Sequence, residues 1–153
     1  MMWKITFMFA TLSASAGWAS ADLRGLDVTP GLWESTSEIA ISLVEEDAAE
    51  TLLETRTEIC QSCITPQDHV LDAVDLAGPG CTASDIWVSE PDMSLVLVCR
   101  QSDVTFYGTM VASAGPDGRT TVAQMTLKGR RADGSELHIK AEMTSALTGP
   151  CVG

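Results

Sequence analysis

Two cysteines three residues apart are the first feature of this sequence that could do chemistry. Cys60 and Cys63 form a C-x-x-C pair within the stretch EICQSCITPQD. A redox dithiol would place such a pair at the N-terminus of a helix in a βαβ framework. A strand precedes the pair and a helix is predicted to follow it, but Thr65 is the better helix cap and no parallel-sheet pattern is present. The redox interpretation is therefore kept as an alternative.

A structural zinc site would need a second pair of ligands at a matching spacing. The other candidates are Cys81, Cys99, His69 and His138, and they do not repeat the C-x-x-C spacing. We therefore expect no metal ion and no cofactor.

Cys81 and Cys99 flank a segment that has a turn signal, SEPD at residues 89–92, at its centre. If a hairpin folds about this turn, the two cysteines face each other across neighbouring strands. A directly opposed antiparallel pair can bring two Cβ atoms within disulfide range. We predict this disulfide, which closes a loop of about 18 residues and contributes roughly 3 kcal/mol on the chain-entropy model.

Three thiols remain, those of Cys60, Cys63 and Cys151. A bridge from Cys151 to either of the other two would close a loop of about 90 residues, worth ~4–5 kcal/mol on the same model. Such a bridge would fasten the C-terminal tail to the edge of a sheet. The residues themselves leave open which of the two cysteines is bridged and which stays free.

Common catalytic motifs are not found in the sequence. It contains no G-x-S-x-G elbow and no phosphate-binding loop of the Walker type. His69 and His138 are both predicted to lie at the surface, which makes them weak acid–base candidates. We predict no catalytic residues and do not expect an enzyme.

Methionines on one predicted apolar face suggest a possible binding pocket. Phe106, Met110, Met125 and Met143 share this face. Flexible methionine side chains suit a pocket for a small apolar ligand, although ordinary core packing explains the same pattern. Methionine together with histidine could instead hold cuprous copper.

The start of the chain indicates export. One lysine precedes an apolar run, and the stretch ends on Ala-Ser-Ala, so residues 1–21 are predicted to be a cleaved signal peptide. Residues 22–153 then form one mature domain in the periplasm, where disulfides are expected. A net charge of −12 argues against nucleic acid or an anionic membrane surface as a partner.

Period-2 alternation dominates the sequence and predicts an all-β fold. The turn residues at 115–118 predict a hairpin in which Phe106 opposes Leu127. The turn at 133–134 predicts the next hairpin, in which Leu127 opposes Leu137. The three strands then share one apolar face, which a slip by one residue would destroy.

An earlier hairpin is predicted to place Ser37 and Thr57 on the same side of the sheet. A short helix is predicted to begin after Thr65, with Pro66 in its first turn. We expect an antiparallel meander of about seven strands, curled or barrel-like, with this one short helix covering an opening.

Five short motifs follow one another along the mature chain. They are PGLWE at residues 30–34, CITP at 63–66, the pair Cys81 and Cys99, GRR at 129–131 and GPC at 149–151. This order resembles a bacterial exported family catalogued as domain of unknown function 3617. The resemblance implies an envelope location but no activity. It also implies that the bridged cysteines are Cys63, Cys81, Cys99 and Cys151, which leaves Cys60 as the free thiol.

We therefore expect a periplasmic, non-enzymatic β domain that binds a small apolar ligand or another envelope protein. One alternative is a thiol-redox protein that uses Cys60 and Cys63. The other is a periplasmic copper-binding protein.

Overall fold

The computed structural model describes residues 25–72, 76 and 78–152. The predicted signal peptide at residues 1–21 lies outside them. In chain order the strands are β1 (Gly25–Asp27), β2 (Gly31–Val44), β3 (Thr51–Ile64), β4 (Val70–Asp72), β5 (Cys81–Ser89), β6 (Asp92–Gln101), β7 (Val104–Ala114), β8 (Thr120–Arg130) and β9 (Glu136–Gly149). Within this described part, no helix is long and apolar enough to cross a membrane.

Seven of the strands form one antiparallel sheet in the order β3-β2-β9-β8-β7-β6-β5. From β5 to β9 each strand pairs with the next along the chain, and β9 then pairs with β2. The predicted all-β antiparallel meander is confirmed. Strands β1 and β4 form a separate two-stranded sheet.

The sheet is open, so the expectation of a curled or barrel-like sheet is wrong. Its edges are β3 and β5, which do not pair with each other. Strand β5 is interrupted by a register shift between Ser84 and Trp87, where Asp85 adopts a φ of 48°. A closed barrel needs its first and last strands to pair with each other, and the two edge strands of this sheet do not.

The predicted short helix is replaced by a 3-10 turn and a strand. The turn covers Pro66–Asp68, and the Thr65 hydroxyl donates to the Asp68 carboxylate at 2.8 Å. The chain then extends as β4, in which Val70 pairs with Asp27 of β1. Pairing with a distant strand therefore overrides the local helix signals. The rest of the predicted helix, at residues 73–75 and 77, lies outside the described residues.

The hydrophobic core lies on one face of the seven-stranded sheet. Every second side chain along β6, β8 and β9 is buried, with few exceptions near the strand ends. Leu97, Phe106, Leu127 and Ile139 are completely buried, and Leu26 of the small sheet packs into the same cluster. The alternation predicted from the sequence therefore identifies the core face correctly.

The β7–β8 and β8–β9 hairpins are each shifted by two residues from the predicted register. Phe106 opposes Gly129 rather than Leu127, and Leu127 opposes Ile139 rather than Leu137. The connections, residues 115–119 and 131–135, are longer than the turns that the prediction assumed. Because side chains alternate with a period of two, this shift leaves every side chain on its predicted face.

In the β2–β3 hairpin, an extra residue in β3 changes the pairing by one position. Most side chains of β3 therefore lie on the face opposite to the predicted one. Next to the loop, Ser42 opposes Leu52, a pairing consistent with the predicted faces. A bulge follows, and beyond it Ile39 opposes Arg56 while Ser37 opposes Glu58. Charged side chains of β3 therefore lie on the core side of the sheet, and the prediction that Thr57 shares a side with Ser37 is wrong.

Candidate functional site

Cys81 and Cys99 form a disulfide with their Cα atoms 4.0 Å apart. They are direct register partners in β5 and β6, as predicted, although the turn pairs Ser89 with Asp92 and the register shift between Ser84 and Trp87 is what brings the two cysteines opposite each other. Cys99 is buried in the core, and Cys81 packs against the core from its edge. This bridge fastens an edge strand to the body of the sheet.

Cys63 and Cys151 form the second disulfide, with Cα atoms 5.5 Å apart and a sequence separation of 88 residues. It ties the end of β3 to the segment that follows β9. Cys60 is unpaired and exposed. These are the assignments that the family resemblance implies.

The C-x-x-C pair is not arranged as a dithiol. Cys60 opposes Ser35, and Cys63 opposes Leu32, so the two cysteines lie on opposite faces of β3. Three residues of extended strand span about 10 Å, whereas a disulfide needs Cα atoms within about 7 Å. A Cys60–Cys63 bridge would therefore require β3 to leave the sheet.

The four residues predicted to line a pocket belong to the packed core. Met110 opposes Met125 across β7 and β8, and both are buried with Phe106 and Met143. None of the four lines either of the two clefts described for this surface. Their role in the structure is core packing.

The histidines do not join these methionines. His138 alternates with the buried Leu137 and Ile139, so it lies on the opposite face of β9 from Met143. His69 lies beside the small sheet, with its Nε2 atom 3.7 Å from Asp27 Oδ1. Among the described residues, no group of three or more His, Cys, Asp or Glu side chains could hold a metal ion.

An exposed apolar surface lies on the outer face of the sheet, opposite the core. We call it the outer patch; its residues are Trp87, Val96, Val98, Tyr107, Val111 and Val122. The exposed fractions are 57% for Trp87, 61% for Tyr107 and 50% for Val111. Large aromatic and branched side chains that remain this exposed on adjacent strands are typical of a binding surface.

The pairing of β5, β6, β7 and β8 brings the outer patch together. Ser94 opposes both Trp87 and Val111, and Val98 opposes Tyr107. The remaining side chains that β6 and β7 place between these residues are serine and threonine. Charge appears only at the borders of the patch, where Lys128 of β8 opposes Tyr107.

The sequence contains a signal for this surface that our predictions did not use. Period-2 alternation predicts one apolar and one polar face for each strand, and by this rule Tyr107 belongs to the solvent face. In β6, however, Val96 and Val98 alternate with the buried Leu95 and Leu97. A strand that is apolar on both faces, next to solvent-side aromatic residues, indicates a second contact surface.

A cleft of about 910 Å³ lies where β1 and the 3-10 turn meet the turns after β5 and β7. Its lining includes four prolines, Pro30, Pro66, Pro91 and Pro116. The Thr29 hydroxyl in this cleft donates to the Asp117 carbonyl at 3.1 Å, and its backbone N–H donates to the Gly118 carbonyl at 2.8 Å. The hydroxyl is thus bound to backbone rather than to a base, so the cleft has no activated nucleophile among its described residues.

Two carboxylates at the β8–β9 hairpin have shifted acidities. The hydrogen bond from the His138 ring lowers the pKa of Glu136 below its ordinary value, and the positive charge of Lys128 acts in the same direction. Hydrogen bonds from the hydroxyl and the backbone N–H of Ser135 lower the pKa of Asp133. Asp133 is exposed and Glu136 is partly buried, and each carboxylate is bonded to a residue of the same hairpin, which is a structural role.

A comparison with protein families matches residues 28–151 to the family described as protein of unknown function (DUF3617). The match covers most of the chain, and the chain belongs to this family. No curated protein and no solved structure matches the chain.

Proposed function

We propose that this member of the DUF3617 family is an exported, non-enzymatic binding domain that docks onto another envelope protein through its outer patch. The observation that carries the proposal is the exposure of Trp87, Tyr107 and Val111 on one face of neighbouring strands of the sheet.

The composition of the outer patch fits a protein partner. Tyrosine and tryptophan are enriched among the residues that contribute most to protein–protein binding, because each buries a large rigid surface at a small entropic cost. Serine and threonine side chains around them can form hydrogen bonds at the same surface. The patch lies on the regular strands of a hydrogen-bonded sheet, so little backbone ordering is needed on binding.

The charges at the border suggest the character of the partner. Lys128 opposes Tyr107 and Arg100 ends the outer face of β6, whereas Asp92 lies at the other end of that face, so basic groups border one end of the patch and an acidic group the other. A partner with an apolar centre, acidic groups on one side and a basic group on the other would complement this arrangement. Electrostatic complementarity of this kind acts on recognition and on the rate of association.

Of the two expected partners, a small apolar ligand has less support than another envelope protein. The methionines that would line its pocket are packed in the core, and the described clefts are lined by other residues. Small-molecule sites are usually concave, whereas the outer patch lies across the face of a sheet. A macromolecular surface is therefore the better match.

Two features support the proposed periplasmic location. Residues 1–21 have the pattern of an export signal. The two disulfides stabilise a folded domain in an oxidising compartment, where such bonds persist.

Photocrosslinking in living cells tests the proposal. A benzophenone amino acid replaces Tyr107, and a matched variant carries it at Glu142, which lies on the outer face of β9 outside the patch. We expect an adduct of defined mass with another envelope protein from position 107 and none from position 142. A Val111→Asp substitution in the same chain should reduce the adduct at least fivefold.

Equal adduct yields at the two positions would contradict docking through the outer patch. Binding of a fluorescent fatty-acid analogue that is unaffected by Val111→Asp would also count against it, because the ligand would then occupy a different site. Circular dichroism of the purified variants establishes that each substitution leaves the fold intact.

A further inference from the structure

Strand β3 is a long sheet edge with one side unpaired. It runs for 14 residues, Thr51–Ile64, and pairs with β2 along its length. No strand in the described part of the chain pairs with its other side. From Glu54 to Ile64 its pairing with β2 is regular, and this stretch contains no proline. An edge of this kind presents a row of free backbone N–H and C=O groups to another strand.

The other edge of the sheet is protected. Strand β5 has only 9 residues, and the register shift between Ser84 and Trp87 interrupts it. Bulges and short edge strands are common means of preventing strand addition. From Glu54 to Ile64, β3 has neither device; it carries a third, charged side chains on the core side, which limits pairing to a strand of matching charge.

Charges restrict what can pair with β3. Glu54, Arg56 and Glu58 occupy successive positions on the core side of the strand. Within the chain, Arg56 Nη1 lies 3.9 Å from Glu54 and Nε lies 3.3 Å from Glu58. Among the described residues, Arg56 Nε and Nη2 have no hydrogen-bond partner. Both atoms are buried by the chain itself, so Arg56 contributes a positive charge at a fixed position along the strand rather than free donors for an added strand.

The pattern Glu-x-Arg-x-Glu reads the same in both directions, so an antiparallel copy of β3 complements it after a small shift. Without a shift, Arg56 would oppose Arg56 of the second copy. A shift by one pair places Arg56 opposite Glu58 of the second copy and, by symmetry, Glu58 opposite its Arg56. Directly opposed opposite charges stabilise a strand pair, and like charges destabilise it.

A shift in the other direction would place Arg56 opposite Glu54 of the second copy. It would pair only the stretch Thr51 to Ile59, whereas the first arrangement pairs the strand from Thr51 to Cys63. The first arrangement also places Thr57 opposite itself on the two-fold axis and Thr55 opposite Ile59. Threonine and β-branched pairs of this kind are favourable across strands.

We propose that the mature protein forms a two-fold symmetric dimer by antiparallel pairing of β3 with β3 of a second copy, with Arg56 of each copy opposite Glu58 of the other. The two seven-stranded sheets then form one continuous sheet, and the two outer patches remain outside the contact. The dimer does not depend on the function proposed for the patch.

Charge reversal tests the contact. Sedimentation velocity over a range of concentrations measures the dissociation constant of the dimer for the mature chain. Arg56→Glu should raise this constant by about tenfold or more, because two favourable pairs become two like-charge pairs. Adding Glu58→Arg should restore the dimer, since the charges of each pair are then exchanged. Adding Glu54→Arg instead should not restore it.

Disulfide crosslinking tests the register. In a Cys60→Ser background, Thr57→Cys should form a covalent dimer under mild oxidation, because residue 57 lies opposite itself. Thr55→Cys is the matched control and should crosslink only in the alternative register. A second pair uses the native thiol: Glu54→Cys should crosslink to Cys60 of the second copy, since the two positions are too far apart along one strand to join within a chain.

Each outcome decides the proposal. A monomer at every concentration, with no crosslinking at position 57, would overturn it. Dimers in which Thr55→Cys crosslinks better than Thr57→Cys would overturn the register. Crosslinking of Thr57→Cys in cells to a different protein, and not to a second copy, would show that β3 pairs with another chain and would also overturn self-association.

Discussion

The two edge strands of the sheet, β5 and β3, differ in how their side chains contact the hydrophobic core. At the β5 edge, Cys81 and Val88 still pack against the core, and the Cys81–Cys99 disulfide links the edge to its neighbour. At the β3 edge, Arg56 and Glu58 occupy the core side, and the strand is largely exposed. Apolar packing thus holds β5, whereas most of β3 is held by its hydrogen bonds to β2, with the buried Ile64 and the Cys63–Cys151 disulfide only at its end.

The outer face shows the opposite distribution. Near β5 it carries the apolar outer patch, and near β3 it carries charged and polar side chains such as Glu38 and Thr57. One half of the sheet is thus apolar on both faces, while at β3 the core side itself carries charge. Experiments that compare the two halves can therefore separate residues needed for stability from residues available for binding.

The largest expected effect is the loss of stability on removal of a disulfide, and we expect its size to differ between the two bridges. Removal of the Cys63–Cys151 bridge by paired Cys→Ala substitutions should destabilise the protein by ~4–5 kcal/mol, because its loop spans 88 residues. Removal of the Cys81–Cys99 bridge, with a span of 18 residues, should cost about 3 kcal/mol. Urea unfolding of the oxidised proteins measures both. A reversed order would mean that the packing of Cys99, rather than loop length, governs the loss.

A pair of leucine substitutions compares the core with the β3 edge. Leu97→Ala in β6 removes a side chain that is 0% exposed and should cost ~2–5 kcal/mol. Leu52→Ala in β3 alters a side chain that is 59% exposed and should change stability by less than about 0.5 kcal/mol. Thermal and urea unfolding measure the two variants side by side. A large loss for Leu52→Ala would mean that the β3 edge is covered in solution.

Acid should weaken the interactions around β9 that involve His138. The pKa of Glu136 is lowered from its ordinary value of 4.5, chiefly by the hydrogen bond from His138. The ionised carboxylate therefore stabilises the fold above that ordinary value, and this contribution is lost as the pH falls through the lower value in the folded protein.

Glu136→Gln should consequently be less stable than the unaltered protein at pH 7, and the difference should shrink towards zero under strongly acidic conditions. Unfolding curves for both proteins across this pH range measure the effect. If the difference in stability stayed constant with pH, the loss would come from the changed shape of the side chain rather than from its charge.

The smallest expected effect concerns the outer patch. Trp87→Ser should change stability by less than about 0.5 kcal/mol, since the side chain is exposed and packs no core residue. It should, however, abolish most of the iodide quenching of tryptophan fluorescence, because Trp33 is buried. Loss of stability on this substitution would make Trp87 part of the packing at the β5 edge.

Much of the fold follows from short-range patterns in the sequence. The alternation in β7, β8 and β9 predicts which side chains enter the core, and it survives a two-residue error in register because the period is two. The turn at residues 89–92 predicts the Cys81–Cys99 disulfide, since both cysteines lie in one hairpin. These features depend on residues that are neighbours in the chain or on adjoining strands.

Other features depended on contacts that the sequence does not specify locally. Pairing with β1 made residues 70–72 a strand rather than part of a helix. A bulge in the β2–β3 hairpin brought Arg56 to the core side, and the strand order left β3 at the edge proposed to form the dimer. The same extended strand placed Cys60 and Cys63 on opposite faces, so that one is bridged and the other is free.

The sequence by itself therefore determined the all-β class, the core face and the disulfide within one hairpin, because alternation and turn residues act over short distances. Only the tertiary structure decided the open sheet, the orientation of β3 and the assembly of the outer patch. Each of these depends on the register between strands, and a single bulge changes that register without changing the local pattern.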